Sequence, residues 1–237
     1  LKPGQRKVLF GCIKRNLITE IKVAQLAGYV SENSAYHHGE ASLCGTIVNM
    51  AQDFVCSNNI NLLEPVGQFG TRVQGGKDAG QPRYIFTRLA KATLKLFNKQ
   101  DMPLLKDNYD DGTKVEPETY VPILPIVLIN GASGIGTGWS TEVPCFNPID
   151  IHQNITRYLN DEDMIPMIPW YKGFTGVIIK LSENSYLSKG KYTINGNKLI
   201  VTELPVGMWT HKFKEFLEDI LVKQQNNKSI LLVRMYN

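Results

Sequence analysis

Arg83-Tyr84 and His37-His38 are the two places in this 237-residue chain where neighbouring side chains could act together on a substrate. A tyrosine phenol has an ordinary pKa of about 10. To attack phosphorus it needs a cation that stabilises both the phenolate and the transition state, and Arg83 is next to it in sequence. The structural alternative is that Tyr84 packs at the start of an element, and the side chains of neighbours often diverge. The histidine pair also admits two readings. A metal site wants carboxylate or thiolate company at helical spacing, and the nearest acid is Glu40. An anion site needs the N-terminus of the longer helix expected to follow, where backbone N–H groups and imidazoles can donate to one phosphate.

Two glycine-rich stretches invite nucleotide readings and fail them. Gly67, Gly70, Gly75, Gly76 and Gly80 precede or flank Lys77, but a phosphate-binding P-loop needs glycine at position 71 and Ser or Thr at 78. Those positions hold Thr71 and Asp78. Gly134-Ile135-Gly136-Thr137-Gly138 mimics part of a dinucleotide fingerprint without its acidic ribose partner or βαβ context. Its other reading is a tight turn after a strand. Cys12, Cys44, Cys56 and Cys145 form no CxxC pair, which argues against zinc and for reduced thiols in an intracellular setting.

These residues need elements to hold them. Val8, Leu9, Cys12, Ile13 and Leu17 recur at helical spacing. A second helix fits residues 21–30, a polar break 31–34, and a longer helix carries Leu43, Ile47, Met50, Ala51 and Phe54 inward. Helix, break, helix is a helix-turn-helix layout. Residues 66–82 read as an irregular loop. A helix is expected over 85–97, a polar acidic connector over 99–118, and a buried strand over 123–129. Residues 130–138 read as a second glycine loop and 148–159 as a helix. Strands are expected at 174–181, 191–194 and 198–204, with Asn195-Gly196 as a hairpin turn. An amphipathic helix fits 208–222, and a last strand 229–235. The fold class expected is α+β, with a boundary near residue 120.

Bulk composition narrows the function classes. With 43% hydrophobic residues the chain can build a core, which excludes a disordered tail. No run is long and apolar enough to span a membrane, and the start is no signal peptide. Lacking an initiating Met, it reads as a piece excised from a longer chain. The net charge of +4 hides a split: residues 1–100 carry 13 basic and 6 acidic side chains, residues 101–237 carry 13 and 16. The basic front suits a polyanion.

Read together, the motifs Leu1-Lys2-Pro3-Gly4-Gln5-Arg6-Lys7, Tyr36-His37-His38-Gly39-Glu40, Gly67-Gln68-Phe69-Gly70-Thr71-Arg72, Gly75-Gly76-Lys77-Asp78, Pro82-Arg83-Tyr84-Ile85-Phe86-Thr87, Val115-Glu116-Pro117-Glu118, Asn130-Gly131-Ala132, Gly134-Ile135-Gly136-Thr137-Gly138-Trp139 and Glu203-Leu204-Pro205 resemble, in order, eukaryotic-type DNA topoisomerase II, a type IIA enzyme. The similarity is dense to about residue 145 and thinner to about 222. Ser133 stands where an acidic residue is expected, and residues 223–237 match nothing placed. The resemblance implies a winged-helix DNA-binding domain over 1–121 and part of a mixed α/β tower domain over 122–237. It implies double-stranded DNA as substrate, cleaved through a 5′-phosphotyrosyl link and resealed after strand passage. Position by position, Tyr84 matches the nucleophile, Arg83 the adjacent transition-state stabiliser, and His37 and His38 the histidines near the scissile phosphate. Lys2, Arg6, Lys7, Arg72 and Lys77 match or flank the basic DNA path, and Ile135 the residue that wedges between base steps.

The resemblance also implies Mg²⁺, held in a separate TOPRIM domain, ATP bound by a further domain, and a homodimer. By itself the 237-residue piece is therefore expected to be inactive. Localisation follows the source: the nucleus if cellular, the host cytoplasm or virion if viral. The reading from a different class is a non-catalytic winged-helix DNA-binding module, which gives Arg83-Tyr84 and the histidines no role.

Overall fold

A computed structural model describes residues 1–226. Helix α1 spans Pro3–Lys14. Pro3 suits the first helical position, where no backbone N–H is needed and φ is already helical. The Lys2 N–H is met by the Gln5 side chain at 3.0 Å. Strand β1 (Ile21–Lys22) leads directly into α2 (Val23–Ser34), and α3 follows at Glu40–Ala51. The expected polar break at 31–34 is helical instead. Ser34 is buried and returns its hydroxyl to Val30 O at 2.6 Å. The turn comes at Ala35, whose left-handed φ of 46° ends the helix.

Strands β2 (Leu63–Val66) and β3 (Phe86–Leu89) complete an antiparallel sheet in the order β1-β3-β2. Ile21 pairs with Thr87, and Leu63 with Leu89. Three helices, a small sheet and a long β2–β3 loop make the winged-helix arrangement, with the loop as the wing. Leu9, Leu26, Leu43, Ile47 and Leu63 are fully buried between helices and sheet. Each such side chain contributes about 1.5–3 kcal/mol by leaving water.

The helix expected over 85–97 is a strand and then a short helix, α4 (Lys91–Leu96). Residues 86–89 also alternate, with Thr87 and Leu89 inward, and a central strand bonds neighbours on both sides. Leu94, expected inside, is exposed. The acidic connector is structured too: a 3-10 helix at Lys99–Leu104, then the hairpin β4 (Asp107–Asp110) and β5 (Thr113–Pro117). Asp111 and Gly112 both take positive φ at its tip, 46° and 75°. An Asp-Gly pair between β-forming residues is the local signal for such a turn.

The expected buried strand over 123–129 is a single helical turn, α5 (Ile126–Ile129), started by Pro125. The second glycine stretch forms a hairpin of β6 (Ala132–Gly136) and β7 (Trp139–Val143). Helix α6 spans Pro148–Leu159, as its periodicity indicates. Hairpins β8 (Val177–Ser182) with β9 (Ser185–Lys189), and β10 (Lys191–Asn195) with β11 (Lys198–Glu203), follow. Strand β9 has no counterpart among the expected elements. Gly196 turns the second hairpin with φ 58°. Helix α7 is Thr210–Asn226. The strand expected at 229–235 lies outside the described residues.

Front and back are hydrogen-bonded together. Asn59 is buried and donates to the carbonyls of Ile129, Phe146 and Trp170, at 2.8, 3.2 and 3.0 Å. Its oxygen accepts from Lys172 N. Asn130 exchanges bonds in both directions with the Ile60 backbone. Such bonds satisfy buried backbone groups that no ladder reaches.

Candidate active site

Tyr84 closes a turn at the end of the wing, its N–H bonded to Gln81 O at 2.8 Å. The residues on either side of the Arg83-Tyr84 pair are tied down. Pro82 O accepts from Ala24 N and Ile85 O from Val23 N, each at 3.0 Å. These are two of the first N–H groups of α2, which have no partner inside their own helix. Ile85 is buried while Tyr84 is 70% exposed. The backbone is thus held from both sides and the phenol is presented to solvent. The Arg83 guanidinium lies 5.3 Å from the ring centre, within cation–π range. Tyr84 therefore precedes a strand rather than the expected helix, and its ring is exposed rather than packed into the core.

The wing itself is rigid. Gly70 and Gly76 pass so closely that a Cβ on Gly70 (φ 92°) would stand 2.5 Å from Gly76 Cα. The buried Gln52 side chain donates to Phe69 O and Gly76 O. Asp78 accepts from Thr71 N at 2.9 Å and Thr71 Oγ1 at 2.6 Å. The Thr71 hydroxyl and backbone bonds hold the Asp78 carboxyl below its ordinary range. The wing's own carboxylate thus fills the donors that a phosphate would use, in agreement with the failed P-loop spacing.

A cleft of about 660 Å³ separates the wing from α3, with Glu40, Cys44, Asn49, Gly80, Pro82 and Arg83 among its lining residues. All four cysteines are free thiols. Burial pushes the thiols of Cys12 to about 12 and Cys145 to about 11, and raises those of Cys44 and Cys56. Each is thereby held toward its protonated thiol form near neutral pH, which disfavours the nucleophilic thiolate.

His37 and His38 lie in the short segment before α3, whose N-cap is Gly39. Both are exposed. They are held by different partners. His37 Nε2 is 2.8 Å from Asp110 Oδ2 at the tip of the β4–β5 hairpin. His38 meets the Tyr36 ring edge-on, with centres 5.4 Å apart. Nothing in the spacing of His37 and Asp110, 73 residues apart, signals that contact.

The basic residues divide into two groups. Lys77 and Arg83 are exposed. Lys2 is exposed as well, and its ammonium donates to Ser133 O at 2.7 Å, joining α1 to the β6–β7 hairpin. Arg6 is partly buried and donates to Leu1 O. Lys7 and Arg72 are turned inward. Lys7 pairs with the buried Glu116 at 2.9 Å and also donates to Ser34 O. Arg72 pairs with the buried Glu203 at 2.5 Å and donates to Leu204 O at 2.9 Å. Their charges are committed to internal carboxylates, so the basic front offers fewer free cations than its composition suggests.

Ile135 sits near the β6–β7 tip, paired with Ser140 and 93% exposed. A β-branched apolar residue on a protruding hairpin has no packing role there. Among the described residues no three His, Cys, Asp or Glu side chains converge on a point that could hold a metal. His37 and Asp110 bond to each other, and the described residues do not form a magnesium site.

The family model for the A-type subunit of DNA gyrase/topoisomerase IV matches residues 1–236. The chain is 55% identical to DNA topoisomerase 2 of Plasmodium falciparum (isolate K1 / Thailand), over 95% of this chain and 16% of that protein. It is 54% identical to DNA topoisomerase 2 of Bombyx mori, over 100% and 15%. It is 56% identical to DNA topoisomerase 2-alpha of Homo sapiens, over 91% and 14%. The fold superposes on the crystal structure of the Plasmodium falciparum topoisomerase II DNA-binding, cleavage and re-ligation domain with TM-score 0.94. That match has 54% identity and covers 98% of this chain and 32% of that one. The chain thus spans about a sixth of the length of the curated relatives it matches. A match over nearly every residue, a shared fold and identity above one half together place this chain in the DNA gyrase/topoisomerase IV family, among the relatives of DNA topoisomerase 2.

Proposed function

We propose that this chain is the DNA-binding, tyrosine-bearing part of a type II DNA topoisomerase. Tyr84 is the nucleophile. Its phenolic oxygen attacks a backbone phosphorus, the new O–P bond forms, and the P–O3′ bond breaks. The 3′-oxygen leaves and takes up a proton as the phenol loses one. The DNA 5′-phosphate is then carried on Tyr84. Reversal by the 3′-hydroxyl reseals the strand, and because one phosphoester is exchanged for another the resealing consumes no ATP. Arg83 stabilises the charge that develops on the phosphoryl oxygens. His37 and His38 contact the scissile phosphate. Lys2, Arg6 and Lys77 line the DNA path, and Ile135 wedges between base steps to bend the duplex. The observation that carries this reading is a solvent-exposed phenol beside a guanidinium, on a turn held at Pro82 and Ile85.

Residues 1–121 form the winged-helix unit in this reading and residues 122–237 part of the tower. The full-length enzyme is a homodimer on double-stranded DNA. It uses ATP, and Mg²⁺ held outside the described residues. The 237-residue chain alone binds DNA and does not cleave it, which a plasmid cleavage assay with Mg²⁺ and ATP checks. The eukaryotic relatives support a nuclear location. In the full-length protein, Tyr84→Phe is expected to abolish the covalent protein–DNA adduct and leave DNA affinity nearly unchanged. An adduct that survives the substitution means that Tyr84 is not the nucleophile.

A further inference from the structure

The β4–β5 hairpin has no counterpart in the roles assigned so far, yet it is firmly built. Its base is fixed to the helical core. Val115 and Glu116 are buried, and Glu116 binds Lys7 of α1 at 2.9 Å. Lys7 in turn donates to Ser34 O at the end of α2. Glu118 N donates to Lys106 O at 2.9 Å, closing the hairpin's open end. Lys114 and Asp107 pair across the two strands at 2.6 Å. The tip is a tight Asp110-Asp111-Gly112 turn with two positive φ angles. Anchored at the base and closed at the tip, the hairpin delivers Asp110 to His37.

The contact they make is a poor source of stability. His37 has 76% of its side chain exposed and Asp110 31%. An exposed ion pair adds little to stability. Its consequence is orientation. An ionised carboxylate only accepts hydrogen bonds, so the His37 nitrogen facing it must carry a hydrogen. That nitrogen is Nε2. The other nitrogen, Nδ1, is left for a ligand, and it donates to a phosphate oxygen when it too carries a hydrogen. His38 is held by the Tyr36 ring and has no such carboxylate among the described residues, so the two imidazoles are not equivalent.

We propose that Asp110 is a positioning residue of the cleavage site: it holds the His37 ring by accepting from Nε2–H, so that on the doubly protonated ring Nδ1–H donates to an oxygen of the DNA phosphate, and the Lys7–Glu116 pair is the anchor of the hairpin that carries it. The proposal rests on the topoisomerase reading given above. It also gives Lys7 a role in the site that is not contact with DNA.

A double-mutant cycle in the full-length protein tests it, reading the single-turnover rate of covalent adduct formation, DNA affinity and the melting temperature. Asp110→Ala is expected to slow adduct formation about tenfold, on the order of the loss when a metal-bound imidazole is deprived of the outer partner that orients it. DNA affinity and melting temperature stay at wild-type values. His37→Ala slows the reaction at least as much, and the double variant is no slower than His37→Ala alone. Asp110→Asn, whose carbonyl can still accept from Nε2–H, retains most of the rate. A wild-type rate in Asp110→Ala overturns the proposal, as does a double variant whose loss is the product of the single losses. If His37→Ala is itself at wild-type rate while Tyr84→Phe forms no adduct, the positioning proposal falls and the tyrosine reading stands. An adduct in Tyr84→Phe removes the reading on which both rest.

Discussion

Glu203 and Arg72 show how far one buried charge depends on its partner. The Glu203 side chain is 4% exposed, and it accepts from Arg72, from the Thr175 backbone and hydroxyl, and from Leu204 N. Burial pushes its carboxyl up, but the Thr175 and Arg72 bonds outweigh that and hold it below the ordinary glutamate range. A carboxyl depressed in the folded state contributes stability above its unfolded value, and that stability is lost as the pH falls through the folded value. Arg72→Ala leaves the carboxylate buried without its cation, which costs about 3 kcal/mol or more. Urea unfolding at neutral pH is expected to show that loss. In the variant the acid-induced decline begins at a higher pH, because burial is then less opposed. The family resemblance implies Arg72 along the DNA path; its spacing in the chain says nothing of a carboxylate 131 residues away.

Two hairpins and the wing carry the elements of the site, and each does so for a different reason. The wing is shaped by contacts to the β11–α7 junction. Gly75 (φ 62°) lies flush under Trp209, where a Cβ would come within 2.3 Å of the ring, and His211 N donates to Val73 O at 2.9 Å. The β6–β7 hairpin is instead free at its end. Ile135 faces solvent, and a Cβ on its neighbour Gly134 would meet nothing within 4 Å. Ile135→Ala is therefore expected to change the melting temperature little, within the usual ±0.5 kcal/mol of surface substitutions. DNA bending, read by FRET between duplex ends, falls in the same variant. Unchanged bending counts against the wedge. Alternation in residues 132–136 is blurred by four small residues, Ala132, Ser133, Gly134 and Gly136, which is why the stretch reads as a loop until its partner strand 139–143 is in place.

For the molecule as a whole, the charge split bears on how the proposed DNA binding responds to salt. Only cations that reach phosphates release counterions, and each contributes about one unit to the slope of log affinity against log salt. Lys77→Ala is expected to reduce that slope by about one. Lys7→Ala leaves it unchanged, because Lys7 is bound to Glu116 inside the protein. A fluorescence-anisotropy titration at several salt concentrations separates the two. Helices α1, α2 and α3, the α6 helix, the Asn195-Gly196 hairpin and the order of the family motifs were all legible in the chain, since periodicity and turn chemistry are local. So were the basic front and the adjacency of Arg83 to Tyr84. Tertiary structure alone decided that residues 86–89 are a central strand, because bonds to β1 and β2 on both sides outweigh an apolar spacing that also fits a helix. It alone decided which cations are free, since Glu116 and Glu203 lie more than a hundred residues from the side chains they neutralise. The pairing of His37 with Asp110 belongs there too: a contact across 73 residues is set by where a hairpin is anchored, and no local pattern encodes it.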